Sequence, residues 1–420
     1  MIKIVEAKDF SRTDIKASSP DITKTVSSII DDVRTRGDEA VIEYEEKFDG
    51  VRLSSLEVSK EEIDTALKAV GSEYVAMLER AAKNIHAFHS KQKRSGFMFS
   101  PKDGVILGQR VIPLERVGLY VPGGTASYPS SVLMNAIPAK IAGCDEVIIA
   151  TPPAIRPEII AAAHVAGVSR IFRMGGAQAV AAMAYGTASV PRVDKITGPG
   201  NAYVAEAKRQ VFGRVAIDMI AGPSEILIIA DENNNPEYIA ADMLAQSEHD
   251  RLASAILITD SLEFAQKVSE EIETQIEKLI RHDIARASID NNGRIIIVGE
   301  LNDAVNIAND IAPEHLELCV ADPFTWMTEG KIRNAGSVFL GAHSPEALGD
   351  YFAGPNHTLP TMGTARFSSP LSVDDFVKTS QYIYYTPEAL MTAADDIENF
   401  AKSEGLTGHA NSITVRRNWY

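Results

Sequence analysis

Residues 145–184 read DEVIIATPPAIRPEIIAAAHVAGVSRIFRMGGAQAVAAMA, and this stretch decides the fold. An unbroken apolar run at 147–150 stops at Thr151-Pro152-Pro153 and an Ala-rich segment follows. A second run at 169–173 ends at Gly175-Gly176 and gives way to another Ala-rich segment. Short apolar runs bounded by turn residues read as strands buried on both faces, and the longer segments between them as covering helices. The alternation continues outward, with β-like runs at 117–121, 194–197, 226–229, 255–258, 294–298, 316–320 and 336–340. Helical candidates lie between most of them, which predicts an α/β protein with mainly parallel sheets.

The ends of the chain read differently. Residues 1–20 lack sustained periodicity and are expected to form an arm. From 21 to about 93 the pattern is helical: Ile22, Val26, Ile29, Ile30 and Val33 recur at three- and four-residue steps before Gly37 interrupts them. His86 and His89, near the end of this region, read as a half-exposed helix end or a weak metal pair. Beyond 371, Ser372 with Asp375 and then Thr386-Pro387-Glu388 supply helix starts, and Gly405 a stop. A helical tail of about 50 residues is too small to bury a core alone, so it is expected to pack on another domain or subunit.

The chain has 420 residues, about two to three domains' worth, with 41 basic and 57 acidic residues and a net charge of −16. That balance argues against a nonspecific nucleic-acid binder. Two cysteines, Cys144 and Cys319, exclude a four-Cys zinc site and disfavour a disulfide scaffold. No run reaches the roughly 18 apolar residues of a membrane span, and residues 1–10 have no signal-peptide core. The expected compartment is the cytoplasm.

Several polar groups carry possible chemistry. After the helix start Asn235-Pro236-Glu237, Asp242, Gln246 and His249 fall on one helical stripe, either a solvated face or part of a metal site whose other ligands lie far along the chain. In Ile311-Ala312-Pro313-Glu314-His315 a carboxylate adjoins an imidazole, suited to general acid–base work or equally to a solvated turn. The pair sits at a strand's start, whereas open α/β sheets usually bind ligands at strand carboxyl ends. Gly and Pro density around Asp350 and His357 marks an ordered loop of the kind that carries functional side chains. Glycine-rich turns at Tyr120–Gly124, Gly175–Gln178 and Thr197–Asn201 fit either tight turns or phosphate cradles, and none matches G-x-G-x-x-G. Neither cysteine has a setting that lowers a thiol pKa, which disfavours a cysteine nucleophile.

Taken together, VGLYVPGG from Val117, GGAQAVAA from Gly175, ITGPGNAYV from Ile196, AGPSE from Ala221, AQSEHD from Ala245, IAPEHLE from Ile311, GPNHTLPT from Gly354 and LTGHANS from Leu406 resemble the histidinol dehydrogenase family over nearly the whole chain. The resemblance implies a zinc-containing, NAD-dependent oxidation of L-histidinol through L-histidinal to L-histidine. It implies metal ligation by Gln246, His249, Asp350 and His409, and acid–base catalysis by Glu314 and His315. Substrate contacts fall on Ser224, Gln246, His249, His315, Asp350, Glu404 and His409, with Ser130 and His357 as further candidates. NAD contacts fall on Tyr120, Gln178 and Asn201. The implied fold is two incomplete Rossmann-like domains of aldehyde-dehydrogenase type with terminal arms. Its expected boundaries are an arm at 1–20, a main domain at 21–109 and 225–370, an inserted domain at 110–224, and a helical tail at 371–420 exchanged within a homodimer.

Two other activities stay open at this point: a dehydrogenase of the same family for another small polar alcohol, and a zinc hydrolase. Glu404 suits an ammonium and would repel a sulfonated alcohol, and a hydrolase would need no NAD.

Overall fold

The computed structural model describes residues 1–11, 22–123, 128–329 and 331–417. The remainder of the expected N-terminal arm, Gly124 of the first glycine-rich turn and the last three residues of the tail lie outside them. The chain starts with β1 (Lys3–Glu6), followed by α1 (Thr23–Arg36), α2 (Asp38–Asp49) and α3 (Lys60–His89). Ser59 opens α3 with a capping box: Glu62 N–H donates to Ser59 Oγ, and Ser59 N–H to Glu62 Oε2. Next come β2 (Phe97–Phe99), β3 (Val105–Pro113) and β4 (Arg116–Tyr120). From there strand and helix alternate through α4 (Pro129–Ala142), β5 (Glu146–Thr151), α5 (Pro157–Val165), β6 (Arg170–Arg173), α6 (Gly176–Tyr185), β7 (Lys195–Thr197), α7 (Ala202–Val211) and β8 (Ala216–Ile217).

A second alternating series runs β9 (Glu225–Ala230), α8 (Pro236–Ser247), β10 (Ser254–Thr259), α9 (Leu262–Ile276), α10 (His282–Asn292), β11 (Arg294–Ile297), α11 (Ala304–Ile311), β12 (His315–Cys319), α12 (Pro323–Thr328), β13 (Ser337–Leu340) and α13 (Glu346–Leu348). The chain ends in β14 (Val377–Tyr385), α14 (Pro387–Ser403) and α15 (Thr407–Arg417).

The two series build two all-parallel sheets in one compact unit, residues Met1–Gln92 and Leu114–Phe376. The first sheet has the order β6-β5-β4-β7-β8 and the second β1-β11-β10-β9-β12-β13. Apart from β1, both follow one plan: the first strand of the series is central, the next two extend to one side and the last two to the other. That is the Rossmann order, with switch points between β4 and β7 and between β9 and β12. Burial follows the pleat. Ile226, Ile228 and Ala230 join the core beneath α8, α9 and α10, while Leu227 and Ile229 join the opposite core beside α11. The expected α/β class and parallel sheets are therefore present.

Three boundary expectations are corrected. Residues 3–6 are an edge strand, with Lys3 paired to Arg294, because the six-stranded sheet offers an open edge at β11. Helices α1 and α2, expected in the main domain, bury Val26, Ile29, Val33 and Val41 in the core of the five-stranded sheet; α3 packs on α4 and α5. The tail is not wholly helical, because β14 precedes its helices and pairs antiparallel with β3 along its full length. Its Tyr-Ile-Tyr-Tyr run favours a strand, but the partner lies far away in sequence. β2, β3, β14, α14 and α15 form a second unit, Lys93–Pro113 with Val377–Tyr420.

Candidate active site and metal centre

At the amino ends of β9 and β12, α11 stops at Ile311 and Ala312 takes a left-handed conformation, φ +52°. A non-glycine residue there costs on the order of 1 kcal/mol, and such strain concentrates at functional sites. The reversal turns the chain through Pro313 so that Glu314 and His315 enter the sheet beside Glu225. Glu314 Oε2 accepts from Glu225 N–H at 2.9 Å, and His315 Nδ1 lies 3.1 Å from Glu225 O. A carbonyl only accepts, so Nδ1 carries the proton and Nε2 keeps its lone pair. Nε2 is buried, has no hydrogen-bond partner among the described residues and lies 3.8 Å from Asp350 Oδ1.

Burial lowers His315 to about 4, against the opposing pull of Asp350, so the ring is neutral at neutral pH. Burial pushes the Glu314 carboxyl well above the ordinary value. A neutral imidazole with an open nitrogen beside a carboxylate of raised basicity is equipped to take protons.

Around this pair the fold gathers His249, Glu346 and Asp350, whose candidate ligand atoms lie within 4.8 Å of one another. The expected helical stripe on α8 holds only in part. The helix ends at Ser247, so His249 stands in the turn beyond it, while buried Gln246 contacts Glu346. Asp242 turns instead toward Glu317. Asp350 occupies a single π-helical turn, Gly349–Ala353. Its carbonyl lies 3.1 Å from His357 Nδ1, and His357 Nε2 is 3.3 Å from Ser131 Oγ. Ser130 stands in the same first turn of α4, and Ser224 immediately precedes Glu225.

The loop bearing His357 is tied down by buried polar contacts, Asn356 Nδ2 to Met134 O at 2.6 Å and Asn135 Nδ2 to Thr358 Oγ1 at 3.2 Å. His89, buried and 2.7 Å from Gln92 Oε1, is structural.

This donor set fits a divalent cation such as zinc. It combines an imidazole nitrogen with carboxylate oxygens. Glu346 is raised by burial and by Asp350, Glu314, Glu317 and Asp242, a repulsion that a bound cation relieves. Glu346, Glu317 and Glu225 were not singled out in the sequence. Glu317 had the clearest signal, an acid inside the apolar strand Leu316–Cys319 run. Glu404 and His409 belong to the second unit, where both are exposed.

The carboxyl end of the five-stranded sheet holds the other expected cluster. Tyr120 ends β4 and its hydroxyl accepts from Gly176 N–H at 3.0 Å. Gly198, at φ +106°, follows β7 so closely that a Cβ would sit 2.1 Å from Tyr120 O. Asn201 caps α7 by accepting from Tyr203 and Val204 N–H. Tyr120 and Gln178 are 4 % and 1 % exposed and scaffold the turn, whereas Asn201 is exposed and open to a ligand.

Beneath them Glu45, fully buried, accepts from Gly175 N–H and Gln178 Nε2. Burial raises its carboxyl from 4.5 to about 7, and Asp49 adds to the rise against the pull of Gln178 and Gly175. The folded chain thus keeps a proton that the unfolded chain releases near 4.5. Stability is expected to fall as pH rises from about 4.5 to about 7, by up to about 3 kcal/mol. Glu45→Gln removes that slope. In urea unfolding the variant should be the more stable above pH 7 and come level with the parent only below about pH 4.5; parallel profiles would contradict the assignment.

Cys144 and Cys319 are buried and free, and burial raises both thiols, Cys144 to about 11. Among the described residues no helix is long and apolar enough to cross a membrane.

A family model described as histidinol dehydrogenase matches residues 12–417. The histidinol dehydrogenase of Clostridium acetobutylicum is 54% identical over 400 residues, 94% of this chain and 92% of that protein. The crystal structure of histidinol dehydrogenase from Elizabethkingia anophelis superimposes with a TM-score of 0.92 at 36% identity, covering 99% of this chain and 98% of the other. An acetylating aldehyde dehydrogenase from Geobacillus thermoglucosidasius shares the fold alone, with a TM-score of 0.50 at 12% identity over 87% of this chain and 97% of its own. The chain belongs to the histidinol dehydrogenase family of oxidoreductases.

Proposed function

We propose that this chain oxidises L-histidinol through L-histidinal to L-histidine with NAD, closing histidine biosynthesis in the cytoplasm. The observation that carries the reading is the open Nε2 of a neutral His315, held by Glu225 and facing Asp350 beside buried Glu314. Gln246, His249 and Asp350 would hold zinc, with His409 of the partner subunit. When bound, zinc anchors the imidazole and amine nitrogens of the substrate, and NAD accepts the hydrides.

His315 Nε2 takes the hydroxyl proton in the first oxidation. Glu314 then deprotonates the water that attacks the aldehyde, and the hydrate is oxidised in turn. No thiol participates, in keeping with two buried cysteines of raised pKa. NAD is assigned to the β4–β7 switch point, where Tyr120 and Gln178 shape the turn and Asn201 is open to contact.

A homodimer is the expected assembly, with Glu404 of the partner subunit meeting the substrate's ammonium. The second unit supports this, since Met98, Ile383 and Phe400 are 66 %, 75 % and 69 % exposed in the single chain.

The test is an NADH assay with histidinol, on protein shown by sedimentation to be a dimer, with and without chelator. Two NADH per histidinol are expected, with activity lost to the chelator and restored by zinc. One NADH per substrate would refute the four-electron oxidation, and product without NADH would favour a hydrolase. Undiminished histidinol binding by fully metal-free protein would refute the anchoring role of zinc.

A further inference from the structure

A glutamine holds a metal through its carbonyl oxygen, because its amide nitrogen only donates. The two ends of a carboxamide are nearly alike in shape, so the surroundings decide which one faces the ion. Around Gln246 the deciding group is Glu346. The hydrogen-bond pattern assigns Gln246 Nε2 to the Glu346 carboxylate, 2.5 and 2.6 Å from its two oxygens. With the Glu346 carboxylate ionised, the state that a bound cation favours, the opposite orientation would set an oxygen against two acceptors. Gln246 is fully buried, so it cannot meet water instead.

Glu346 is itself held in place. It is 3 % exposed, and its backbone N–H donates to Glu317 Oε1 at 2.8 Å. Glu317 stands two residues after His315 on β12, so both side chains project from one face of that strand. Glu346 Oε1 is also 3.8 Å from His315 Nδ1. One buried acid therefore ties the orientation of Gln246 to the strand that carries the candidate base.

We infer that Glu346 is a positioning residue of the metal centre: its carboxylate holds the Gln246 amide nitrogen and so presents Oε1 on the side away from Glu346, as the atom that meets the ion. The inference rests on the zinc reading above. It assigns Glu346 a role distinct from direct ligation, although one of its oxygens lies near His249 and Asp350. Outer groups that orient a ligand commonly change metal affinity by roughly 10- to 100-fold.

Glu346→Gln keeps the volume but can donate as well as accept, so it no longer distinguishes the two orientations of Gln246. The test uses the full-length protein stripped of metal. Zinc affinity is measured by competition with a chromophoric chelator, cobalt absorption reports the ligand geometry, and circular dichroism checks the fold. Glu346→Gln and Gln246→Ala are each expected to weaken zinc by roughly 10- to 100-fold. The double variant should bind no more weakly than Gln246→Ala alone, because the two residues act through one contact.

Losses that multiply in the double variant would overturn the inference and make Glu346 a ligand in its own right. Unchanged affinity in either single variant would also overturn it. Parent protein that takes up no zinc would instead overturn the zinc reading on which the inference stands.

Discussion

Glu314→Gln is expected to stop the reaction at the aldehyde. The carboxylate is buried, accepts from Glu225 N–H at 2.9 Å, and has its basicity raised by burial. Glutamine keeps the shape and can still accept that bond, so the join between β9 and β12 should survive, but its amide cannot take a proton from water. General-base contributions are typically 10²- to 10⁴-fold, so histidinal oxidation should fall by about that factor. Alcohol oxidation, which the proposed mechanism assigns to His315 Nε2, should fall much less. Single-turnover measurements with histidinol and histidinal separate the two steps, and the NADH formed per histidinol should drop toward one. Equal losses in both steps would show that Glu314 does not activate the water.

A large loss of stability is expected for Asp218→Ala. Asp218 and Lys208 form an ion pair with side chains 1 % and 2 % exposed. The pair also closes the turn after β7: Gly198 N–H donates to Asp218 Oδ2 at 2.8 Å, and Lys208 Nζ donates to Gly198 O at 2.9 Å. Removing the acid strands a buried ammonium, a change that typically costs about 3–5 kcal/mol. The lowered urea midpoint should be accompanied by weaker NAD binding, because the same turn leads into Asn201. Lys208→Met in the Asp218→Ala background should recover much of the stability by removing the unpaired charge. A single-variant loss under about 1 kcal/mol would mean that water reaches the pair.

Much of the candidate site was readable as local text. Glu314-His315 stood out because Pro313 ends a helix and a buried strand begins at once. Gln246 and His249 stood out by their spacing, although the last turn of α8 ends before His249. Glu346 was not readable, because one acid at the start of a three-residue helix looks like any helix-start acid. Glu45 lies in the charged run Glu43-Tyr44-Glu45-Glu46 and reads as solvated, yet α2 places it beneath the Gly175 turn. Both become distinctive only through what packs over them.

The strands were legible for a similar reason. A parallel strand covered on both faces must be continuously apolar, and β5, β9 and β10 carry that mark in their own residues. β1 and β14 do not, since an edge strand and an antiparallel strand with exposed side chains depend on the partner they meet. The sequence by itself determined the α/β class and the family, and it marked the glycine-rich turns and the Glu314-His315 pair as candidates. Only the tertiary structure decided the edge at β1, the placing of α1 and α2 on the five-stranded sheet, the tautomer of His315 and the contact between Gln246 and Glu346. Apolar period and backbone restrictions act between near neighbours in the chain, whereas burial and hydrogen-bond partnership depend on residues brought together from far along it.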